Sequence, residues 1–327
     1  MLCTLVKDAF DDQAWIFEPK LDGMRLLVRF DGTNLTLLSR NQKSQNLQFP
    51  EIVEGLAESL HKPAILDGEI VSLDEYGQSR FRHLQQRFHV EDPSEIKARA
   101  RRFPAYLYVF DILWLSGNDL TAQPLERRKA ILKRAVAWSS VIRHTRSVTG
   151  KGIQMLRQAC REGSEGIIAK RLGAPYLPGE RSGDWLKIKC LGRQEFVIGG
   201  FTDPQRSRVG LGALLVGYYD DTGSRLIYAG KVGTGFTNED LLSLRKQLDK
   251  FETSTNVFDE GNPPRGPQVH SVRPKLVAEI AYAEWTQNGL LRQPRFEGLR
   301  TDKSSPEVRL ERPKSASNSH PARRRSP

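Results

Sequence analysis

The residues best suited to covalent chemistry lie near the start of the chain, in Glu18-Pro19-Lys20-Leu21-Asp22-Gly23-Met24-Arg25. Lys20 sits between a β-like run and an Asp-Gly turn, with acids and an arginine close by. A lysine attacks phosphorus or carbon only as the neutral amine. Desolvation and a nearby cation, Arg25 or a metal ion, push it toward that form. Alone, a lysine in a turn reads as a solvated point charge. More reactive types follow in order. Asp67-Gly68-Glu69 places acids on a turn between two strands, Phe110-Asp111 sets an aromatic beside a carboxylate, and Glu165-Gly166-Ile167-Ile168-Ala169-Lys170 puts an acid ahead of an apolar strand. In Trp185-Leu186-Lys187-Ile188-Lys189 the two lysines fall on one strand face, because side chains repeat every second residue. Two ammonium groups on one face repel unless an anion lies between them, and a phosphate would serve. Each segment has a plainer reading as an acidic turn, a core aromatic or an exposed charged face. Their occurrence together, in this order and in a basic chain, favours phosphate chemistry.

Short strands and flanking helices must position these groups. Leu26 to Phe30 and Leu35 to Leu38 flank Asp31-Gly32-Thr33-Asn34, a hairpin signal. Ile65-Leu66 and Ile70-Val71 bracket the acidic turn, and residues 105–115 form a β-rich apolar run interrupted by Asp111. Apolar spacing predicts helices over 50–60, 125–136 and 152–162. Beyond residue 190 come glycine-punctuated strands over 196–201, 213–219, 226–232 and 277–285, with one helix over 238–251. That pattern suggests a small barrel or sandwich. The domains expected are 1–190 and 191–310, followed by a disordered basic tail, 311–327, ending in Arg323-Arg324-Arg325.

The chain's 327 residues suffice for two domains, and no apolar run approaches the roughly 18 residues of a spanning helix. The N-terminus lacks a signal peptide's basic start and apolar stretch, so an intracellular protein is expected. Cys3, Cys160 and Cys190 form no CxxC pair and suggest neither a disulfide framework nor a cysteine zinc site. A net charge of +11 favours polyanionic partners, since each phosphate neutralised releases counterions.

As a set, these segments resemble the covalent nucleotidyltransferases: ATP-dependent DNA ligases, RNA ligases and mRNA capping enzymes. The signature Lys-x-Asp-Gly-x-Arg is matched from Lys20 to Arg25, and the match continues through Ser39-Arg40-Asn41, Asp67-Gly68-Glu69, Phe110-Asp111, Glu165-Gly166 and Lys187-Ile188-Lys189. It closes on Arg300-Thr301-Asp302-Lys303, similar to the family's C-terminal Arg-x-Asp-Lys element. Residues 207–217, 230–236 and Glu284-Trp285-Thr286 resemble the ligase domain of bacterial end-joining ligase D.

The resemblance implies an α+β nucleotidyltransferase (adenylation) domain with antiparallel sheets and flanking helices, followed by an OB-fold β-barrel domain. It implies ATP as the nucleotide, Mg²⁺ as the metal with Mn²⁺ as the substitute, and nicked or broken double-stranded DNA as substrate. Lys20 would carry AMP; Arg300, Asp302 and Lys303 would orient the departing pyrophosphate. Phe110 would stack on adenine and Glu18 lie near the base. Arg25, Lys187 and Lys189 would face phosphates, with Arg40 near the ribose or DNA. Asp22 and Gly23 complete the nucleotide loop, and Glu69 and Glu165 would bind the metal or the ribose. A monomer acting in the cytoplasm on nucleoid DNA is expected, with a Ku-type end-binding protein as partner and no membrane. With 19 residues ahead of Lys20, the N-terminal DNA-clasping domain of larger ligases is expected to be absent, as are polymerase and nuclease modules. Three scattered cysteines cannot build the four-cysteine zinc element of NAD-dependent ligases. An RNA ligase or capping-type enzyme is the nearest alternative reading, and a non-catalytic nucleic-acid-binding module a more distant one.

Overall fold

Strands that turn apolar side chains to one face form the two sheets of the first unit, residues 1–190. The computed structural model describes residues 1–88, 90–190 and 192–311. The first unit runs β1 (Leu2–Leu5), β2 (Trp15–Pro19), β3 (Met24–Phe30), β4 (Leu35–Ser39), α1 (Pro50–Ser59), β5 (Ala64–Ser72), α2 (Phe81–Gln85), α3 (Pro93–Arg102), β6 (Ala105–Leu115), β7 (Asn118–Asp119), α4 (Leu125–Ala135), β8 (Ile142–His144), β9 (Val148–Thr149), α5 (Gly152–Arg161), β10 (Gly166–Arg171) and β11 (Arg181–Lys189). Strands β1, β11, β10, β2 and β9 form one sheet in that order; β4, β3, β5, β6 and β7 form another, with β8 beside β6.

In the second of these sheets Met24, Leu26, Val28, Leu66, Ile70, Leu107 and Val109 enter a core closed by Ile52 and Leu56 of α1 and Leu132 of α4. Cross-strand pairing sets Arg25 opposite Glu69 and Glu69 opposite Tyr108, so these three share the other face. In the five-stranded sheet, Phe17, Ile167, Ala169, Leu186 and Ile188 pack with Ala159 of α5. Each large apolar side chain buried there is worth about 1.5–3 kcal/mol. Glu18 is paired with Ile168, and Ile168 with Lys187; Lys170 is paired with Trp185. The face opposite this core therefore carries Glu18, Lys170, Trp185, Lys187 and Lys189. Phe110, Leu113, Tyr176 and Trp185 form a small apolar cluster joining the two sheets.

The second unit, residues 191–311, contains β12 (Gly192–Thr202), β13 (Leu214–Tyr219), β14 (Leu226–Val232), α6 (Asn238–Leu248), β15 (Glu252–Thr253), β16 (Val269–Val272), β17 (Val277–Tyr282), β18 (Glu284–Trp285), β19 (Leu291–Arg292) and β20 (Arg295–Leu299). The long β12 pairs with β17 over its first half and with β13 and β16 over its second, with an irregular register between Ile198 and Gly200. One strand thus serves several neighbours, and the seven-stranded sheet curves around Phe196, Ile198, Val216, Ala278 and Ile280. Helix α6 opens on a capping box between Thr237 and Asp240 and buries Leu241, Leu244 and Leu248.

Several expectations are corrected. Asp67-Gly68-Glu69 is the middle of β5, beside a register shift against β6; Asp67 is buried against Arg25 and Tyr176, while Glu69 is half-buried. Helices α2 and α3 were not anticipated, although Asp92, whose carboxylate accepts the N–H of Glu95, and Pro93 are an N-terminal signature. Residues 277–285 split into β17 and β18. Cys160 and Cys190 are joined by a disulfide: 30 residues apart in sequence, their Cα atoms lie 5.2 Å apart where the last turn of α5 meets the end of β11. Cys3 remains a thiol. Of the expected tail, Glu311 belongs to the second unit, its N–H donating to Gln194 Oε1 at 3.0 Å, while 312–327 lie outside the described residues.

Candidate active site

Lys20 follows β2 directly. Its backbone N–H donates to the Gly166 carbonyl at 2.9 Å, which ties the loop to the start of β10. Its ammonium meets Glu165 Oε2 at 2.6 Å, and the Glu165 side chain is only 5% exposed. Gly166 makes this possible: φ is +148°, and a Cβ there would stand 2.1 Å from the Ile188 carbonyl oxygen. Only glycine lets β10 approach β11 closely enough to aim Glu165 at Lys20. On the other side of Lys20, a Cβ at Gly23 would lie 2.2 Å from the Ile70 carbonyl oxygen and 3.0 Å from Glu69 Cγ. The loop therefore presses against β5 beside Glu69. Asp22 fixes it further, its N–H donating to Ser79 Oγ at 2.9 Å and its carboxylate accepting the Phe81 N–H at 3.1 Å. Asp22 and Gly23 thus act as structural parts of the Lys20 loop.

Two residues before Lys20, the buried Glu18 carboxylate is flanked by two ammonium groups, Lys170 at 2.6 Å and Lys129. Burial disfavours charge on Glu18, but Lys170 and Lys129 override it and hold the carboxyl below its ordinary range. Burial pushes the Lys129 ammonium down. Lys170 also stands 4.0 Å from the ring centre of Phe110 and 4.1 Å from that of Trp185. Phe110 is 9% exposed and meets Trp185 edge-on. It is a buried ring beneath a cation, not an open shelf.

Arg25 is engaged differently from the phosphate contact expected of it. Nε and Nη2 grip Asp67 at 2.9 and 2.6 Å, Nη1 donates to the Met1 carbonyl at 2.6 Å, and Nη2 meets the Tyr176 hydroxyl at 3.1 Å. Tyr176 in turn donates to Asp67 at 2.8 Å. Burial opposes the charge on Arg25, yet Asp67 leaves its pKa raised; burial and Asp67 together push the Tyr176 phenol up. Beside this network Arg128 holds Asp111 through two bonds of 2.8 Å, both side chains fully buried, and donates to the Gln123 and Ala174 carbonyls. These pairs lock β3, β5, β6 and α4 together behind the site.

Lys187 and Lys189 are half-buried on the same face as Glu18, while Leu186 and Ile188 enter the core, as alternation requires. Arg40 is exposed in the turn after β4. Glu69 is half-buried on the face it shares with Arg25. Among the described residues no group of three or more His, Cys, Asp or Glu side chains could hold a metal ion by itself. Glu69 and Glu165 are single carboxylates on either side of the Lys20 loop, a donor set that suits Mg²⁺ only with substrate oxygens and water completing its shell.

The second unit carries its own charged cluster. Arg300 grips Asp302 at 2.9 and 2.8 Å and approaches Glu279 at 3.4 Å; Lys303 pairs with Glu195, and Arg193 reaches Glu279 at 3.4 Å. Glu195 and Glu279 face each other across β12 and β17. Burial works against both charges of the Arg300–Asp302 pair; each partner overrides it, raising Arg300 and lowering Asp302.

Lys129, Arg128 and Tyr176 were missed by sequence reasoning, while Asp67, Asp111, Lys170 and Trp185 stood within the motif segments without a role of their own. Lys170 was recoverable, since strand alternation puts it on one face with Gly166 and Ile168. Lys129, Arg128 and Tyr176 arrive from distant segments and left no local signal.

Residues 1–189 match the family described as ATP dependent DNA ligase domain, and residues 207–303 match the ATP dependent DNA ligase C terminal region. The chain is 39% identical over 304 residues to the multifunctional non-homologous end joining protein LigD of Pseudomonas aeruginosa, covering 91% of this chain and 35% of that protein. It is 33% identical over 320 residues to a DNA ligase of Thermococcus fumicolans, covering 93% of this chain and 55% of that one. The chain therefore spans about a third of the first relative and about half of the second. A solved mycobacterial DNA ligase D, complexed with ATP and MES, superposes with a TM-score of 0.64 at 32% identity, covering 94% of this chain and 97% of that one. The sheets around Lys20 are thus a nucleotidyltransferase domain and the curved sheet after them an OB-fold domain, and the chain belongs to the ATP-dependent DNA ligases.

Proposed function

We propose that this chain seals breaks between a 5′-phosphate and a 3′-hydroxyl in double-stranded DNA, in repair by end joining, through a covalent bond between Lys20 and AMP. The observation that carries the reading is the placement of Lys20 against Glu165 on a sheet face that also bears Lys187 and Lys189. The Lys20 amine displaces pyrophosphate from the α-phosphorus of ATP and loses its proton. A DNA 5′-phosphate then takes the AMP from Lys20, and the neighbouring 3′-hydroxyl displaces AMP as the backbone closes. Such transfers depend on alignment and charge neutralisation. Glu165 orients the amine, Lys187 and Lys189 neutralise phosphates, and Glu18 and Phe110 belong to the base pocket, with Arg40 at the ribose or DNA. Arg300, Asp302 and Lys303 orient the departing pyrophosphate in this reading. Glu69 and Glu165 would hold Mg²⁺, or Mn²⁺ in its place; the ion supplies charge neutralisation at the phosphates.

Nicked or broken duplex DNA is the substrate in this reading, a Ku-type end-binding protein the partner, and a monomer at the bacterial nucleoid the working form. Among the described residues no helix is long and apolar enough to cross a membrane. Incubation with ATP labelled at the α-phosphate tests the first step. Label should remain on the wild-type protein through denaturation and be absent from Lys20→Ala; an equally labelled variant would discard the assignment.

A further inference from the structure

Arg143 has no part in any segment discussed so far. It lies on β8, paired in register with Tyr108 of β6, and Tyr108 is paired with Glu69 of β5, which faces Arg25 of β3. Arg25, Glu69, Tyr108 and Arg143 therefore form one row across four strands, on the face that carries the Lys20 loop against Glu69. The guanidinium of Arg143 stacks on Tyr106, 4.0 Å from its ring centre, and leans on Tyr108 at 5.5 Å. Nη1 donates to the Tyr108 hydroxyl at 2.9 Å and Nε to the Ser140 carbonyl at 2.6 Å. Tyr106, Tyr108 and Arg143 are all half-buried.

This is an unusual setting for a cation. Two other arginines on or beside this face, Arg25 and Arg128, each grip a carboxylate through two bonds, whereas no described carboxylate pairs with the half-buried Arg143. The charge is held by neutral acceptors and ring faces, and Nη2 makes no described bond. A planar guanidinium fixed by stacking, with donors left over and its positive charge uncompensated, is suited to a phosphate. Holding the fork in place beforehand also removes part of the side-chain entropy that binding would otherwise cost.

We propose that Arg143, set on Tyr106 and Tyr108, is a phosphate-binding site for the sugar–phosphate backbone of the DNA beside the break. The assignment rests on the ligase reading above. Two phosphate sources meet at such a site, the DNA backbone and the triphosphate of ATP, and the two steps of the reaction separate them. The test measures ATP-dependent self-labelling and the sealing of a pre-adenylylated nick across a salt series, for the whole chain and for Arg143→Ala and Arg143→Lys. The lysine variant keeps the charge but loses the fork and the stack. For Arg143→Ala the expected result is a KM for the nick raised about tenfold, a salt slope of that KM lowered by about one, and self-labelling within about twofold. Arg143→Lys should retain the salt slope and recover only part of the KM. A merely structural residue would not lower the salt slope while labelling persists. Unchanged sealing and slope in Arg143→Ala would overturn the proposal, and so would self-labelling that falls in step with sealing, which would assign the site to ATP. Absence of labelling in the wild type would instead refute the ligase reading, so the two failures are distinguishable.

Discussion

The Lys20 ammonium rests on Glu165 Oε2 at 2.6 Å, and the Lys20 N–H bonds the carbonyl of Gly166, the very next residue. One short segment therefore fixes both the backbone and the tip of Lys20. Its geometry depends on a glycine whose φ of +148° and near contact with Ile188 exclude a side chain.

Gly166→Ala should consequently displace Glu165 from Lys20. Overpacking of this kind costs about 1–3 kcal/mol of stability, and a misplacement near 1 Å at a reacting group costs about a hundredfold in rate. Self-labelling measured in single turnover should fall by about that factor at a temperature where the variant remains folded. Labelling at the wild-type rate would show that the Lys20–Glu165 geometry is dispensable.

Arg300→Ala addresses the second unit. If Arg300 serves pyrophosphate departure, self-labelling should drop by about a hundredfold or more, while sealing of a pre-adenylylated nick changes far less. Equal losses in both assays would contradict a first-step role.

The Arg128–Asp111 pair is fully buried. Removing one partner of such a pair leaves an uncompensated charge and costs about 3–5 kcal/mol. Arg128→Met should lower the denaturation midpoint accordingly, and the double variant Arg128→Met, Asp111→Leu should regain a large part of the loss. A double variant no more stable than the single would show that the pair is not the source of the effect.

In the second unit His270 stacks on Phe201 at 4.7 Å and meets Glu252 at 2.6 Å and Asp203 at 2.9 Å, with Arg245 also near Asp203 at 3.5 Å. Burial alone would lower its pKa; the bonds to the two acids override this and raise it. A raised value in the folded state means stabilisation that is complete below the ordinary histidine value near 6.5 and fades as pH climbs past the folded one. The Tm gap between wild type and His270→Gln should be wide at about pH 5.5 and close toward about pH 9. Added salt should narrow it at low pH, because Glu252 is exposed and Asp203 only half-buried. A gap independent of pH would remove the histidine's charge from the account.

How far the sequence revealed this arrangement depended on the range of the interactions involved. Alternation from Trp185 to Lys189 is local, and it correctly separated the lysines from the core residues between them. The acids of Asp67-Gly68-Glu69 imitated a turn because polar residues around a glycine usually mark one; only Arg25 and Tyr176, supplied by other segments, make Asp67 tenable inside a strand. Arg25 looked available for phosphate because nothing in its own motif discloses Asp67 as its partner. Lys129 reaches Glu18 from a helix, and Tyr176 reaches Asp67 from a loop, each more than a hundred residues away in sequence. The disulfide was hidden similarly, since the distance between Cys160 and Cys190 is set by how α5 lies on the sheet.

Strand β11 puts hydrophobic anchoring and charge presentation on adjacent letters of one segment, Leu186 and Ile188 inward, Lys187 and Lys189 outward. Exchanging one residue for another there disturbs a single position. Deleting one would invert the whole segment, driving two ammonium groups into the hydrocarbon interior and turning leucine and isoleucine onto the face that carries Glu18. Directed evolution of this chain should therefore find conservative exchanges at Leu186 and Ile188 better tolerated than any change in the length of β11.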